Sequence, residues 1–523
     1  MAFRLRPRRA FCARACMAVA VLTAVAVTAA APSAARADNF PVQLSGAPLG
    51  LNTAPWDYIY AANTAAGGGV DVIQPLLQAA SINMLRYGGG SYADYYDWQT
   101  NTNIQNCLPD DATASFTSSC SSSDSLGFSQ FSQQARAIGA KSFVTVNYGS
   151  GTPAEAAAWV TQAKSTAGQG VALWEVGNET YGCWEVDNEL AGPPANFAGY
   201  TPNTYTSVNG VFENPTCPQT TEGNAAGTQT LATSYAVNAK QFLIAMKAAN
   251  PRARIGVPWA FDNSVPGASV PDNSEWNNTI LGTDGKYVSF VDAHYYPFFF
   301  GGSTGGSNPT DQQVLQALFQ VPSLYGQIRA ELNTYDPKAS VVVGETGVSN
   351  NTTTTVCTPA GALFAAGDVL SWLSAGAESV DWWDMNNYGN TTASCTNPDY
   401  GLFTSSSPPV AETPYYGYLL ASVLAQPHAL LGALGTSDAS DVLAYQALEP
   451  GGKYTVAFIN TNTSSNETVT FHAPLFGTLH TWSYSAGNQN ATNSNIVTGT
   501  VSAASVAGGI TLPAESMTIL QGQ

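Results

Sequence analysis

Positive charge is scarce in this chain: 18 Lys and Arg stand against 36 Asp and Glu among 523 residues. A surface so acidic repels polyanions, which excludes nucleic acid and an anionic membrane as partners. Histidine is scarcer still, at 4 in the whole chain. Beyond residue 37 no two cysteines stand at the two-to-four-residue spacing of a zinc site, so neither a metal nor another cofactor is expected. Only one long apolar run occurs, Met17 to Ala31, and it is too short and too rich in alanine for a transmembrane helix. Low charge does not mean disorder here, because 44% of residues are hydrophobic and 11% aromatic.

The apolar run belongs to an export signal. Arg4, Arg6, Arg8, Arg9 and Arg14 precede it, and Ala35-Arg36-Ala37 closes it with a small-x-small cleavage pattern, leaving Asp38 as the first mature residue. Arg8-Arg9 fits twin-arginine export as well as a plain basic start. Residues 1–37 contain six arginines and no acid, so the remaining chain carries a formal −24. A secreted, extracellular monomer that meets a neutral polymer suits that charge. Six cysteines remain, an even number appropriate to an oxidising compartment. Locality pairs them as Cys107–Cys120, Cys183–Cys217 and Cys357–Cys395, each closing a polar Ser/Thr/Asn-rich segment.

From Pro48 to about Asp384, eight short apolar runs alternate with alanine-rich stretches. The runs are Leu49–Asn52, Met84–Tyr87, Phe143–Asn147, Leu173–Gly177, Arg254–Trp259, Phe290–Tyr295, Val341–Glu345 and Ser379–Trp383. Helical stretches are read at Pro153–Lys164, Thr230–Ala249, Asp311–Tyr335 and Gly361–Gly376. Eight such units closing on themselves make a (β/α)8 TIM barrel over residues 38–424. A doubly wound open sheet is the alternative, but it would not place polar residues at so many consecutive strand ends. Past residue 425 the runs are short, alternating and separated by Gly/Asn/Ser turns, which predicts an antiparallel β-sandwich over 425–523. Asn39–Ser45 is placed to lend that sandwich one more strand.

Two of the eight runs deliver a glutamate at or just past their C-terminal end. Trp174-Glu175-Val176-Gly177-Asn178-Glu179 follows the fourth strand and Gly344-Glu345 ends the seventh. Catalytic groups of a TIM barrel lie at these C-terminal strand ends, and two carboxylates facing each other are the requirement of glycoside hydrolysis. Glu345 is the candidate nucleophile and Glu179 the acid/base; Glu175, inside the strand, and Glu185, in the loop beyond, are its rivals. Arg86 in an apolar strand must have a buried carboxylate partner. Arg86, Tyr295 and Tyr296 are the donors available to Glu345, and His294 stands beside them. Trp56, Tyr181, Trp382 and Trp383 offer flat faces to a sugar ring. Asn52, Asn147, Asn178 and Asn386 offer neutral amides to its hydroxyls.

Leu85-Arg86-Tyr87-Gly88-Gly89-Gly90-Ser91, Trp174 to Gly182, His294-Tyr295-Tyr296-Pro297 and Gly344-Glu345 together resemble the clan A glycoside hydrolases, and within that clan secreted bacterial α-L-arabinofuranosidases. The resemblance implies a barrel with a C-terminal sandwich, retention of anomeric configuration, Glu179 as acid/base, Glu345 as nucleophile, and Asn178 on the hydroxyl beside the anomeric centre. Gly88 departs from the pattern, standing where the family usually has proline. Among basic residues only Arg86 and Lys286 are read near the catalytic face, so a neutral sugar is expected. Arabinofuranose comes first; β-linked xylose, galactose or glucose, then glucuronate, are alternatives. A non-catalytic glycan-binding barrel is the reading from another class, and retention of both carboxylates argues against it. The connection from Cys183 to about Gly227, with Trp184, Tyr200, Tyr205 and Phe212, is expected to rise beside the site and make it a pocket for chain ends.

Overall fold

The computed structural model describes residues 42–57, 60, 69–104, 122–182, 185, 206–208, 211–213, 225–261, 274–298, 309–348, 357–386, 401–406, 408–485 and 496–522. The expected export signal lies outside them, as do Cys107, Cys120, Cys183, Cys217 and Cys395. Cys357 is disulfide-bonded. Of the long connection after residue 182, only Glu185, the two strands Thr206–Val208 and Val211–Glu213, and the helix that begins at Ala225 are described.

All eight apolar runs form strands: β1 (Leu49–Thr53), β2 (Met84–Tyr87), β3 (Lys141–Val146), β4 (Val171–Val176), β5 (Ile255–Trp259), β6 (Phe290–Tyr295), β7 (Ser340–Thr346) and β8 (Val380–Trp382). They pair in parallel and close in order into a barrel, with β8 against β1. The helices start where local chemistry allows. Thr152 caps Pro153–Ser165 in a reciprocal box with Glu155, which satisfies donors the first turn leaves open. The stretch expected as one helix over 311–335 is broken: Asp311–Ala317 and Val321–Tyr335 flank a 3₁₀ turn at Leu318–Gln320. Pro322 sits in the first turn of the second piece, where a missing N–H costs least.

Alternation along the strands sorts the barrel interior into layers. Met84, Phe143, Leu173, Phe290 and Val342 form a small buried apolar cluster with Ala47. Two residues further along the same strands come Arg86, Thr145, Glu175, Asp292 and Gly344, so a polar layer sits on the apolar one. The intervening residues, such as Leu85, Val144, Trp174 and Val291, pack outward in the main core with the helices.

The C-terminal strands are β9 (Leu430–Ala433), β10 (Val442–Leu448), β11 (Tyr454–Asn460), β12 (Glu467–Val469), β13 (Thr478–Ser485), β14 (Val497–Ser502), β15 (Ile510–Leu512) and β16 (Ser516–Gln521). Seven strands form one antiparallel sheet, in which Val42–Gln43 pairs with β9 as the sequence suggested for Asn39–Ser45. β12 and β15 pair separately. In β11, Val456 and Phe458 join the core shared with Val469 and Leu512 of that pair. Ala457 and Ile459 face the other way, into the core of the barrel. The contact centres on the buried helix Pro359–Ala375, where the Ser371 hydroxyl and Tyr445 hydroxyl lie 2.6 Å apart.

Candidate active site

Arg86 is the hub. Its side chain is wholly buried in the polar layer, which would be costly for an unpaired guanidinium. One terminal nitrogen donates to Glu345 Oε1 at 2.7 Å and to Asn52 Oδ1 at 3.0 Å. The other donates to Glu175 Oε2 at 2.7 Å and to Asn178 Oδ1 at 3.0 Å. Its Nε lies 3.6 Å from Asp292, and the guanidinium carbon stands 5.3 Å above the Phe143 ring. Burial works against its charge, but Glu175, Glu345 and Asp292 together carry its pKa well above the ordinary value. The same burial, reinforced by Asp292 and opposed by Arg86 and His294, pushes Glu175 up to about 8.

Glu345 reaches the site because β7 is bulged. Between Asp292 and His294 strand β6 advances two residues, while β7 advances three, from Val342 to Glu345. The same extra residue appears against β8, where Val343 pairs with Val380 and Thr346 with Trp382. Strict alternation would turn Glu345 outward; the inserted residue turns it into the barrel mouth. Gly344 makes room beneath it, since a Cβ there would meet the Asp292 carboxyl at 2.2 Å. Glu345 Oε2 accepts from Tyr296 Oη at 2.9 Å, and Oε1 accepts from Gly90 N at 3.3 Å as well as from Arg86.

Glu179 is delivered by a tight turn after β4. Gly177 has φ +76°, and Glu179 itself has φ +39°, uncommon for a residue with a side chain. Its carboxylate accepts from Tyr181 Oη at 3.1 Å and lies 3.0 Å from His294 Nδ1. The same imidazole nitrogen is 3.4 Å from Glu345 Oε2, and Nε2 is 3.4 Å from Asp292 Oδ2. Burial lowers the His294 pKa, but Glu345, Asp292 and Glu179 outweigh it and hold the ring protonated well above its ordinary value. One carboxylate oxygen from each of Glu179 and Glu345 and one His294 nitrogen lie within 4.8 Å of one another. Such a donor set could also surround a cation, and Arg86 already serves as the cation of this cluster.

The other residues singled out in the sequence fall into two groups. Asn178 is in the network: Oδ1 accepts from Arg86 and from Gly90 N at 3.0 Å, and Nδ2 donates to Glu185 at 3.1 Å. Tyr181 and Tyr296 touch the two glutamates directly. Trp56 follows β1 and is half-buried. Asn147 is instead a turn brace. Its Oδ1 accepts from the backbone of Ser150 and Gly151 and its Nδ2 donates to Tyr96 O and Ser150 Oγ, leaving no hydrogen-bonding capacity for a sugar. Trp382 is core: it is 1% exposed and packs on Phe364 and Tyr418. Its neighbour Trp383 takes the place expected of it, with its ring against Gly90, where an added Cβ would approach to 2.8 Å. Lys286 lies in the turn that leads into β6, at the opposite end of the strands, over the Tyr287 ring. Glu185 was passed over as a loop residue, yet it is buried and bonded to Asn178 and Ser91.

No family model matches the sequence, and no curated protein is similar to it. Solved structures are similar in fold. The α-L-arabinofuranosidase from Thermotoga maritima, in complex with arabinose, has a TM-score of 0.63 at 15% identity, covering 92% of this chain and 98% of that one. The family 51 arabinofuranosidase from Xanthomonas axonopodis pv. citri has a TM-score of 0.62 at 16% identity, covering 93% and 98%. A 4-O-α-L-rhamnosyl-β-D-glucuronidase from Fusarium oxysporum 12S has a TM-score of 0.57 at 16% identity, covering 92% and 98%.

Proposed function

We propose that this chain is a retaining O-glycoside hydrolase that removes terminal neutral sugars, α-L-arabinofuranosyl first among them, from a polysaccharide. The observation that carries the reading is the close approach of Glu179 and Glu345, whose nearest carboxylate oxygens lie within 4.8 Å. Retaining enzymes hold the two carboxyl groups about 5–5.5 Å apart, whereas inverting enzymes leave roughly 6.5–9.5 Å for a water. In this reading Glu345, oriented by hydrogen bonds from Arg86, Tyr296 and Gly90, attacks the anomeric carbon while Glu179 gives its proton to the departing oxygen. His294, 3.0 Å from Glu179, keeps a proton within reach of that carboxylate. Once Glu345 is esterified its charge is gone, and Glu179 takes a proton from the water that releases the sugar.

Charge supports a neutral sugar. Among the described residues the cationic side chains at the barrel mouth are Arg86 and His294, and protein groups already occupy both: four accept from Arg86, and Glu179, Asp292 and Glu345 surround His294. That argues against a uronate, even though a glucuronidase shares the fold. The likeness in fold to arabinofuranosidases supports the pentose. Export to the medium belongs to the same proposal and rests on residues 1–37.

Release from a panel of chromogenic glycosides tests the sugar: arabinofuranoside should be cleaved fastest. Glu345→Ala should lose turnover, and added azide should then give a glycosyl azide of inverted configuration. No cleavage of any glycoside by the wild type would refute the reading.

A further inference from the structure

Glu185 enters the site from the connection after β4 and meets the 3₁₀ turn Ser91–Tyr95 that follows β2. Its side chain is buried, and Oε1 accepts from both Asn178 Nδ2 at 3.1 Å and Ser91 Oγ at 2.9 Å. The Asp94 carboxyl, itself wholly buried, hydrogen-bonds Glu185. Two carboxylates cannot share a buried hydrogen bond unless one of them keeps a proton. Since Oε1 already accepts two donors, Oε2 is the oxygen left to carry that proton toward Asp94.

We infer that Glu185 and Asp94 form a proton-sharing carboxyl pair that pins the loops after β2 and β4 together and sets the orientation of the Asn178 amide. Glu185 is thereby a positioning residue for recognition of a substrate hydroxyl. The inference deepens the glycosidase reading and rests on it for its kinetic consequences.

Asn178 sits between unlike neighbours, which is why its orientation can be controlled. On one side Arg86 Nη2 and Gly90 N, both donors, require the carbonyl oxygen. On the other side Glu185 must accept from the amide nitrogen. With one proton on the pair, both demands are met. When that proton leaves to solvent, Glu185 and Asp94 repel, and the acceptor that fixes Nδ2 moves away. Among the described residues, the groups facing Glu185 are Asp94 from the turn, Glu179 and Asn178 from the β4 end, and Ser91. The loop after β3 brings Gly149 against Asp94, and Ser150 bonds Asp94 by its backbone oxygen, neither adding charge. Burial is the main cause that holds the Glu185 pKa well above its ordinary value, followed by Asp94. The proton is therefore held to a higher pH than an ordinary glutamic acid would hold it.

The glutamine variant separates positioning from bulk packing. In Glu185→Gln the amide oxygen can accept from Asn178 and Ser91 while its N–H donates to Asp94, copying the protonated pair without a titratable proton. It should keep kcat/KM within about threefold at neutral pH and hold that activity further into the alkaline range than the wild type. Glu185→Ala should raise KM about tenfold with a smaller change in kcat, as for one misdirected hydrogen-bonding group. A pH difference infrared spectrum supplies a readout independent of turnover. Wild type minus Glu185→Gln should show a protonated-carboxyl band at neutral pH that titrates away in alkali. Absence of that band, or identical alkaline limbs for wild type and Glu185→Gln, would overturn the pair. If no glycoside is cleaved at all, the function is wrong, and the infrared band still decides whether the proton is shared.

Discussion

Beneath the site, Asp381 offers a test of how a buried acid shapes stability. It is wholly buried on β8, accepts a hydrogen bond from Ser379 Oγ, and lies so close to Gly50 that a Cβ there would approach to 1.7 Å. Burial is the main reason its pKa is pushed up to about 8. An unfolded aspartate titrates near 3.9. The sign follows directly. Between those two values the folded chain holds a proton that the unfolded chain has released, so stability falls as pH rises through that window. Asp381→Asn has no such proton, and other acids titrate alike in both proteins and cancel in the difference. At about 1.36 kcal/mol per pH unit, the variant should gain about 4 kcal/mol on the wild type between pH 5 and pH 8. The amide hydrogens that replace the second carboxyl oxygen cost about 1–3 kcal/mol if unsatisfied, but equally at every pH. The slope is therefore the diagnostic quantity. Urea unfolding of both proteins at pH 5, 6.5 and 8 measures it. A difference that stays constant within about 1 kcal/mol, or one that shrinks with pH, would refute the reasoning.

Three further outcomes follow from the site. Glu179→Ala should spare the first step for aglycones that leave readily and lose it for natural oligosaccharides, read by burst kinetics on both substrate types. Tyr296→Phe removes the hydroxyl that donates to Glu345 at 2.9 Å; a bond to a charged group is worth about 1.5–3 kcal/mol, so kcat/KM should fall roughly ten- to a hundredfold with the melting temperature little changed. Trp382→Ala should cost about 3–5 kcal/mol of stability by emptying a core position, with KM unchanged in the folded fraction, whereas Trp383→Ala should raise KM; denaturation and steady-state kinetics on the two variants separate these roles.

The barrel was legible because each strand is a short apolar run ending in a polar residue, and the end of β4 is legible because Gly-Asn-Glu stops an apolar strand abruptly. The bulge in β7 was not. Nothing in Val341-Val342-Val343-Gly344-Glu345 marks which residue will be unpaired, since the choice depends on the registers of β6 and β8. The Trp382-Trp383 pair was ambiguous for a related reason: adjacent residues face opposite ways, and two identical side chains give no clue to which way is in. Asn147 left a local signal, with Ser150 and Gly151 following at turn spacing, that a reading focused on sugar hydroxyls missed. The partners of Glu185 come from another loop, so its burial could not be inferred from neighbours in sequence. Among the C-terminal strands, Leu430–Ala433, Val497–Ser502 and Ile510–Leu512 leave little mark in the sequence because they are short or largely exposed.

The way β11 divides its residues between two cores limits how this gene can be recombined. Ala457 and Ile459 complete the core between the barrel strands and their helices, and Val456 and Phe458 complete that of the sandwich. A crossover placed at the visible change of sequence pattern, near residue 425, would separate halves that each hold part of the other's interior. The sandwich would also lose Val42–Gln43, its edge strand, which enters from the far end of the chain. Grafting this C-terminal part onto an unrelated catalytic barrel would leave the Ala457 and Ile459 face uncovered and prone to self-association. A workable chimera would have to carry the helix Pro359–Ala375 along with the sheet, so inheritance by modules is confined to cuts that respect that shared surface.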